Sequence, residues 1–282
     1  MCEVLVVGSV NLDLSARVAR LPLPGETISG ATLERFPGGK GANQALAARR
    51  LGARVRLLAA VGEDGNAGEA LALLDQGGVD LGLLQRFAEA PTGLAMIAVT
   101  PGGENQIVVA PGANAELRSP DGGFPQADLA ISQLETPAAV LVDLVESFAG
   151  FICVNLAPAK EIDVSVLQRA DLIVVNESEA SWYGQSLSAA RGLVATTFGA
   201  DGARLVRGDT LLAETRPPAV EVVDTTGAGD TFTAALALKL AEGWAAPAAL
   251  EFACTAGALA TTRRGAQPSL PTEVDVAALL AV

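Results

Sequence analysis

"KGANQALAARRLGARVRLLAAVGEDGNAGEALALLDQGG", residues 40–78, runs from a helix-like stretch (40–52) through a short apolar run (55–62) into a second helix-like stretch (66–78). The alternation continues outward from it. VLVVG (4–8) comes before; LAISQLE (129–135), helix-like PAAVLVDLVESF (137–148), FICVN (151–155), DLIVVN (171–176) and LVATTFG (193–199) come after. Such strand and helix alternation implies right-handed crossovers and a mostly parallel sheet with both faces covered. The fold class expected is therefore α/β, with a mostly parallel central sheet covered by helices.

Two segments interrupt this rhythm. Residues 14–36, with LPLPGETISG (21–30), and residues 92–110 read as strands joined by Pro/Gly turns, the second as a hairpin across TPGGEN (100–105). They fit either a small β appendage beside the main domain or ordinary edge strands. No repeat or long linker divides the 282 residues, so one main domain is expected.

Half of the residues are hydrophobic and 18% are charged, which suits a compact chain with sheets buried on both faces. Nineteen basic against 32 acidic residues leave a net charge of −13, so a nucleic acid backbone would meet repulsion. A small anion is still admissible, because salt screens distant charge over about 8–10 Å and a few local donors suffice. Histidine is absent, which removes Ser-His triads and His-ligated zinc and leaves Asp, Glu, Lys and backbone dipoles for any chemistry. Cys2, Cys153 and Cys254 show no metal-like spacing, and no secretory leader precedes EVLVVGS (3–9); a cytoplasmic protein is expected. AAPAALEFACTAGALATT (245–262) is apolar but carries Glu251 and many small residues, so it reads as a packed helix and not as a membrane span.

Open parallel sheets bind ligands outside the carboxyl ends of their strands. That rule selects Asn11, Asp13, Glu135, Asn155, Asn176, Glu179, Gly199 and Asp224. PGGKGANQAL (37–46) lacks the spacing of a P-loop, since Gly38, Gly39, Lys40 and Gly41 are consecutive. A glycine cluster at a helix start suits close approach by a polar ligand, with Lys40 and Asn43 one turn apart; a tight turn with a helix cap is the alternative. In DTTGAGD (224–230), Gly227 and Gly229 allow a sharp turn into the helix DTFTAALALKLAEG (230–243), whose free amides face that turn as an anion hole. Asp230 there fits two roles: a base accepting the proton of an attacking hydroxyl beside a transferring phosphoryl group, or a plain N-cap. Asp224 would bind a cation or hold the turn.

Taken together, GSVNLDL (8–14), PGGKGANQALAARRLGA (37–53), PGANAEL (111–117), SQLETP (132–137), NLAPAK (155–160), NESEA (176–180), TTFGADG (196–202), DTTGAGDTFTAAL (224–236) and RRGAQPSLP (263–271) resemble the ribokinase family, within the phosphofructokinase-B sugar kinases. The resemblance spans nearly the whole chain. It implies a three-layer fold with a small β lid, strands of which would come from about 14–36 and 92–110, and a homodimer formed through that lid. It also implies ATP-dependent phosphorylation of D-ribose at O5, with no nucleic acid or membrane partner. By resemblance, Asn11, Asp13, Gly39, Lys40, Gly41, Asn43 and Glu135 bind the sugar. Asp230 is the base, and Gly227, Ala228, Gly229 and Asp230 supply the anion hole. Asn176 and Glu179 organise magnesium and the nucleotide phosphates; Thr197, Phe198, Gly199, Ala200, Asp201 and Gly202 line the nucleotide pocket, with Gly229 and Cys254 nearby. A potassium ion would be held at Asp224, Thr226, Ala260, Arg263, Gly265 and Ser269, mostly through backbone carbonyls. For Asn11 and Asp13, turn chemistry at a strand end is the blander reading, and for Glu179, capping of its own helix. The chain departs from the family by being short between Glu179 and Thr197 and around 115–155. The rivals to a ribose kinase are a kinase for another small sugar or a nucleoside, and a non-catalytic sugar-binding protein.

Overall fold

The computed structural model describes residues 1–102 and 104–281. The strands, in chain order, are β1 (Glu3–Val7), β2 (Asn11–Arg17), β3 (Thr32–Gly38), β4 (Arg54–Leu58), β5 (Ala60–Gly62), β6 (Gln85–Phe87), β7 (Gly93–Val99), β8 (Asn105–Ala110), β9 (Leu129–Gln133), β10 (Phe151–Asn155), β11 (Leu172–Asn176), β12 (Leu193–Thr197), β13 (Ala203–Arg207) and β14 (Thr210–Thr215). The helices are α1 (Lys40–Arg50), α2 (Gly65–Gln76), α3 (Ala138–Ser147), α4 (Val164–Arg169), α5 (Glu177–Tyr183), α6 (Ala228–Ala241), α7 (Ala246–Ala260), α8 (Ala266–Ser269) and α9 (Glu273–Leu280).

The main sheet has the order β14-β13-β12-β11-β10-β9-β1-β4. From β4 to β12 all neighbours pair in parallel, and only β13 and β14 run antiparallel. Both faces are covered, and β1 shows why its run is apolar throughout. Val4 and Val6 face a core with α1, α6 and α7, whereas Leu5 and Val7 face one with α3 and α4. The carboxyl ends of β1, β9, β10, β11 and β12 thus open on one edge, the edge to which polar residues were assigned from sequence.

The apolar run 55–62 reads as one strand but is two. β4 ends in the main sheet at Leu58, and β5 leaves it to pair with β6. Periodicity cannot register such a switch, because every residue of the run is buried or nearly so. The β13–β14 hairpin was missed, although Gly208-Asp209 between two alternating stretches is a hairpin signal.

The two irregular segments form a separate sheet, β3-β2-β7-β8, and not edge strands of the main one. Its strands start earlier than expected, at Asn11, and β3 runs on to Gly38. The turn expected at TPGGEN contains Gly103, which lies outside the described residues. Met96, Ile107, Val108 and Val109 leave this sheet with exposed apolar side chains. The apolar stretch 245–262 forms α7, and among the described residues no helix is long and apolar enough to cross a membrane.

The first turn of α1 packs directly on the chain between β1 and β2. Gly39, at φ 91°, and Gly41 make this possible: a Cβ on Gly41 would stand 2.5 Å from the Gly8 carbonyl carbon and the Ser9 nitrogen. These are backbone atoms that cannot rotate away. Gly41→Ala is therefore expected to destabilise the fold by about 1–3 kcal/mol, the cost of overpacking. Urea unfolding followed by circular dichroism checks this.

Candidate active site

Asp230 is the third residue of α6, and the residue at the N-cap is Gly227, at φ 82° in the left-handed region that glycine tolerates. The capping reading of Asp230 is thereby overturned. Its carboxylate bonds no amide of its own helix. Instead Oδ2 accepts from Asn43 Nδ2 at 2.8 Å and Oδ1 from Gln44 Nε2 at 3.1 Å, both on the first turn and a half of α1. Burial raises the Asp230 carboxyl above the ordinary carboxylate range. Lys40, Asn43 and Gln44 oppose that shift, and Glu135 adds to it.

The start of α6 has open donors. Among the described residues the amides of Gly227, Gly229 and Asp230 make no hydrogen bond, whereas that of Ala228 donates to Thr225 O at 3.3 Å. The hole expected from four residues thus has three free amides. They lie at the positive end of a helix of 14 residues.

The glycine cluster around Lys40 packs on the chain itself. The α1 amides serve the protein: Ala42 N donates to Ser9 O at 2.9 Å and Lys40 N to Glu135 Oε2 at 3.2 Å. Ser9 Oγ also donates to Glu135 Oε2. Gly39 and Gly41 are thus required by close approach of the chain to itself. The Lys40 ammonium makes no hydrogen bond within the described residues. Burial works against its charge, but Asp230, Glu135, Glu179 and Asp13 outweigh burial and raise its pKa.

Asn11 and Asp13 lie on β2, so they are strand residues of the small sheet and not the turn residues of the blander reading. Asn114, within PGANAEL, clamps the chain here: its Oδ1 accepts from Val10 N at 2.9 Å and its Nδ2 donates to Val10 O and, at 2.8 Å, to Asn11 Oδ1. Asn11 is left with its own Nδ2 uncommitted. Asp13 is pushed up to about 7 by burial, with Glu135 and Asp230 adding repulsion and Lys40 opposing. Asn11, Asp13, Lys40, Asn43, Glu135 and Asp230 are therefore gathered, by contact or by charge, where the small sheet meets the end of the main sheet. The charges of Lys40 and Asp230 also reach the Glu179 carboxyl, whose pKa burial raises.

Asn176 and Glu179 form a reciprocal capping box at α5: Glu179 N donates to Asn176 Oδ1 and Asn176 N to Glu179 Oε2, each at 2.8 Å. Capping is thus a real use of both residues, and it leaves Glu179 Oε1 unengaged. Thr197 and Phe198 lead into a short 3-10 turn, Gly199–Asp201, at the end of β12, with Ala200 and Asp201 exposed. Gly202, at φ 101°, backs onto Thr215 O, so it too is fixed by the fold. The Cys254 side chain is 6% exposed and packs in the core of α6 and α7, and burial raises its thiol to about 12.

Asp224 holds its turn. Oδ1 accepts from Thr226 N and Oγ1 at 2.9 and 2.6 Å, and Oδ2 from Gly265 N at 2.9 Å, tying the loop after α7 to the loop before α6. Burial disfavours its charge, but these bonds outweigh it and hold its carboxyl below the ordinary range. The carbonyls of Thr226, Ala260 and Arg263 accept nothing among the described residues, Gly265 is the N-cap of α8, and Ser269 Oγ donates to Ala266 O. Carbonyl and hydroxyl oxygens are hard donors of the kind alkali cations take. Among the described residues no cluster of His, Cys, Asp and Glu is suited to a transition metal.

Sequence reasoning missed Ser9, Gln44, Asn114 and Gln133 as members of this site. All four stand inside quoted motifs, but their roles depend on partners from distant parts of the chain.

The family model for pfkB carbohydrate kinases matches residues 1–273. A ribokinase of Bacillus subtilis is 36% identical over 298 residues, covering 99% of this chain and all of that one. Among solved structures, a Thermotoga maritima ribokinase superposes over the full length of both chains with TM-score 0.90 at 31% identity. The Arabidopsis thaliana ribokinase complexed with ribose and ATP gives 0.87 at 29% identity, covering 100% of this chain and 99% of that one. With an α/β fold of the same topology and a family match over almost its whole length, this chain belongs to the pfkB family of carbohydrate kinases.

Proposed function

We propose that this protein transfers the γ-phosphoryl group of ATP to O5 of D-ribose. One observation carries the chemistry: a buried carboxylate, Asp230, held by donors from α1, adjoins three open amides at the start of α6. Support for ribose and ATP comes from relatives named ribokinase at 32–36% identity and from the Arabidopsis structure that holds both.

In this reading Asn11 Nδ2, Asp13, Lys40 and Asn43 bind the sugar hydroxyls, a mixture of donors and acceptors suited to a polyol. Asp230 takes the O5 proton as O5 attacks the γ-phosphorus. The bond to the β–γ bridging oxygen breaks and ADP leaves. The amides of Gly227, Gly229 and Asp230 receive the charge that develops on the phosphoryl oxygens, which is the usual main source of rate in phosphoryl transfer. Burial lifts Asp230 toward the pH at which a base works best. Thr197 to Gly202 line the nucleotide side, with Cys254 behind it filling space. Glu179 Oε1 and Asn176 suit outer-sphere contact with Mg²⁺, which when bound neutralises the ATP phosphates. A K⁺ ion on the carbonyls of Thr226, Ala260, Arg263 and Gly265 would steady the turn that Asp224 already ties.

The small sheet is the lid of this reading, shutting water from the cleft, and its apolar outer residues suit a second copy of the chain as in a homodimer.

Asp230→Asn is expected to keep ribose binding by calorimetry and to lower kcat by about 10²–10⁴, the usual worth of a general base. A variant with near-normal ADP release in a coupled assay would refute the role. The wild type assayed with ribose, deoxyribose, fructose and adenosine tests the substrate; sugar binding without ADP release would instead indicate a binding protein.

Asp13, at about 7, makes ribose affinity pH-dependent. As a carboxylate it accepts sugar hydroxyls, and protonation removes an acceptor, so binding should weaken as pH falls through about 7, approaching tenfold per unit below it. In Asp13→Asn, calorimetric titrations from pH 5.5 to 8.5 should show a weak but much flatter profile.

Replacing K⁺ by tetramethylammonium, too large for a carbonyl cage, should lower kcat several-fold, restored by added K⁺. Unchanged rates would remove the cation from the scheme.

A further inference from the structure

Amide side chains can be turned either way, but the buried amides here are fixed by an unambiguous end point. Asn155 Nδ2 donates to the Val174 carbonyl at 3.1 Å, and a carbonyl can only accept. Asn155 must therefore turn Oδ1 toward Gln44, whose Nε2 donates to it at 3.3 Å. The other proton of the same nitrogen goes to Asp230 Oδ1 at 3.1 Å. At its other end Gln44 Oε1 accepts from Gln133 Nε2 at 2.7 Å. Gln44 is wholly buried, and both of its protons are used. It has no donor to offer a substrate. Its neighbour Asn43 is different, for Asn43 Oδ1 is buried without a partner and stays open to a ligand.

We infer that Gln44 is a positioning residue for phosphoryl transfer, its orientation locked by Asn155 and the Val174 carbonyl so that it can only donate to Asp230 Oδ1. The inference rests on the reading of Asp230 as the base. Gln133 and Asn155 close β9 and β10, so the central sheet fixes the direction of a hydrogen bond to a carboxylate that lies 186 residues from Gln44 along the chain. A donor on Oδ1 favours the charged, proton-accepting form, and it keeps the carboxylate from swinging out of line with the incoming hydroxyl. The charged groups acting on Asp230 include Lys40 on α1, Glu135 after β9, Glu179 on α5 and Asp13 on β2. Gln44 supplies a neutral, directional contact on Oδ1, as Asn43 does on Oδ2.

The test is Gln44→Met, which keeps the volume and removes both the donor and the acceptor. Its kcat should fall about tenfold to a hundredfold, the range for losing a hydrogen bond to a charged group. KM for ribose and for ATP should stay within about twofold. The acid limb of the kcat profile should move up by about one pH unit, because a base that has lost a donor binds its proton more tightly. Asn155→Leu frees the Gln44 amide to turn without touching Asp230, and should show the same pattern at smaller size; it carries the test if Gln44→Met does not fold. A folded variant with kcat within twofold of wild type overturns the inference. So does a loss of kcat with an unmoved acid limb, which would mark a structural role only. Wild-type protein that releases no ADP with any sugar overturns the kinase reading itself, and is distinguished by its failure before any variant is made.

Discussion

The first turn of α1 meets the first turn of α6 through the pair of bonds from Asn43 and Gln44 to Asp230, and the site depends on that meeting. An isolated carboxylate inside a protein would protonate or cost several kcal/mol to keep charged. Two amide donors and the nearby Lys40 charge let it remain where the α6 amides open. Two helix N-termini that converge add their positive ends on the same side. Those ends and Lys40 offset part of the negative charge that Asp13, Glu135 and Asp230 bring together.

Close backbone approach is what allows the two helices to converge. With side chains at positions 39 and 41, α1 would be pushed off the loop between β1 and β2, and its amides would lose Ser9 and Glu135. Glu135 thus has a double position: it receives the start of α1 and, as a charge beside Asp13 and Asp230, it helps raise both carboxyls. The crowd of acids around one lysine is costly to the fold. It is the kind of local strain on stability that is met at reactive sites.

The glycine and aspartate motifs were legible because their chemistry is local. A helix that starts at a glycine turn must present free amides, whatever surrounds it, and six parallel strands with buried faces must read as short apolar runs. Gln44, Asn114 and Gln133 were not legible for the opposite reason. Each is an ordinary amide in its own stretch and acquires meaning only from a partner 89 to 186 residues away. Capping and catalysis compete for the same residue types at helix starts, so Asp230 and Glu179 could not be separated from sequence. In the fold Glu179 caps and Asp230 does not.

The sequence by itself determined the layered α/β architecture, the lack of histidine chemistry, and the two glycine turns that begin α1 and α6, because hydrophobic period, composition and glycine's freedom at positive φ act within a few residues. Only the tertiary structure decided that the glycines near Lys40 serve the chain's own packing, that one of the four α6 amides is already taken, and which way the buried amides face Asp230. Those outcomes are set by distances between segments far apart in the chain, and a carboxylate's neighbours, not its type, decide whether it caps a helix or waits for a proton.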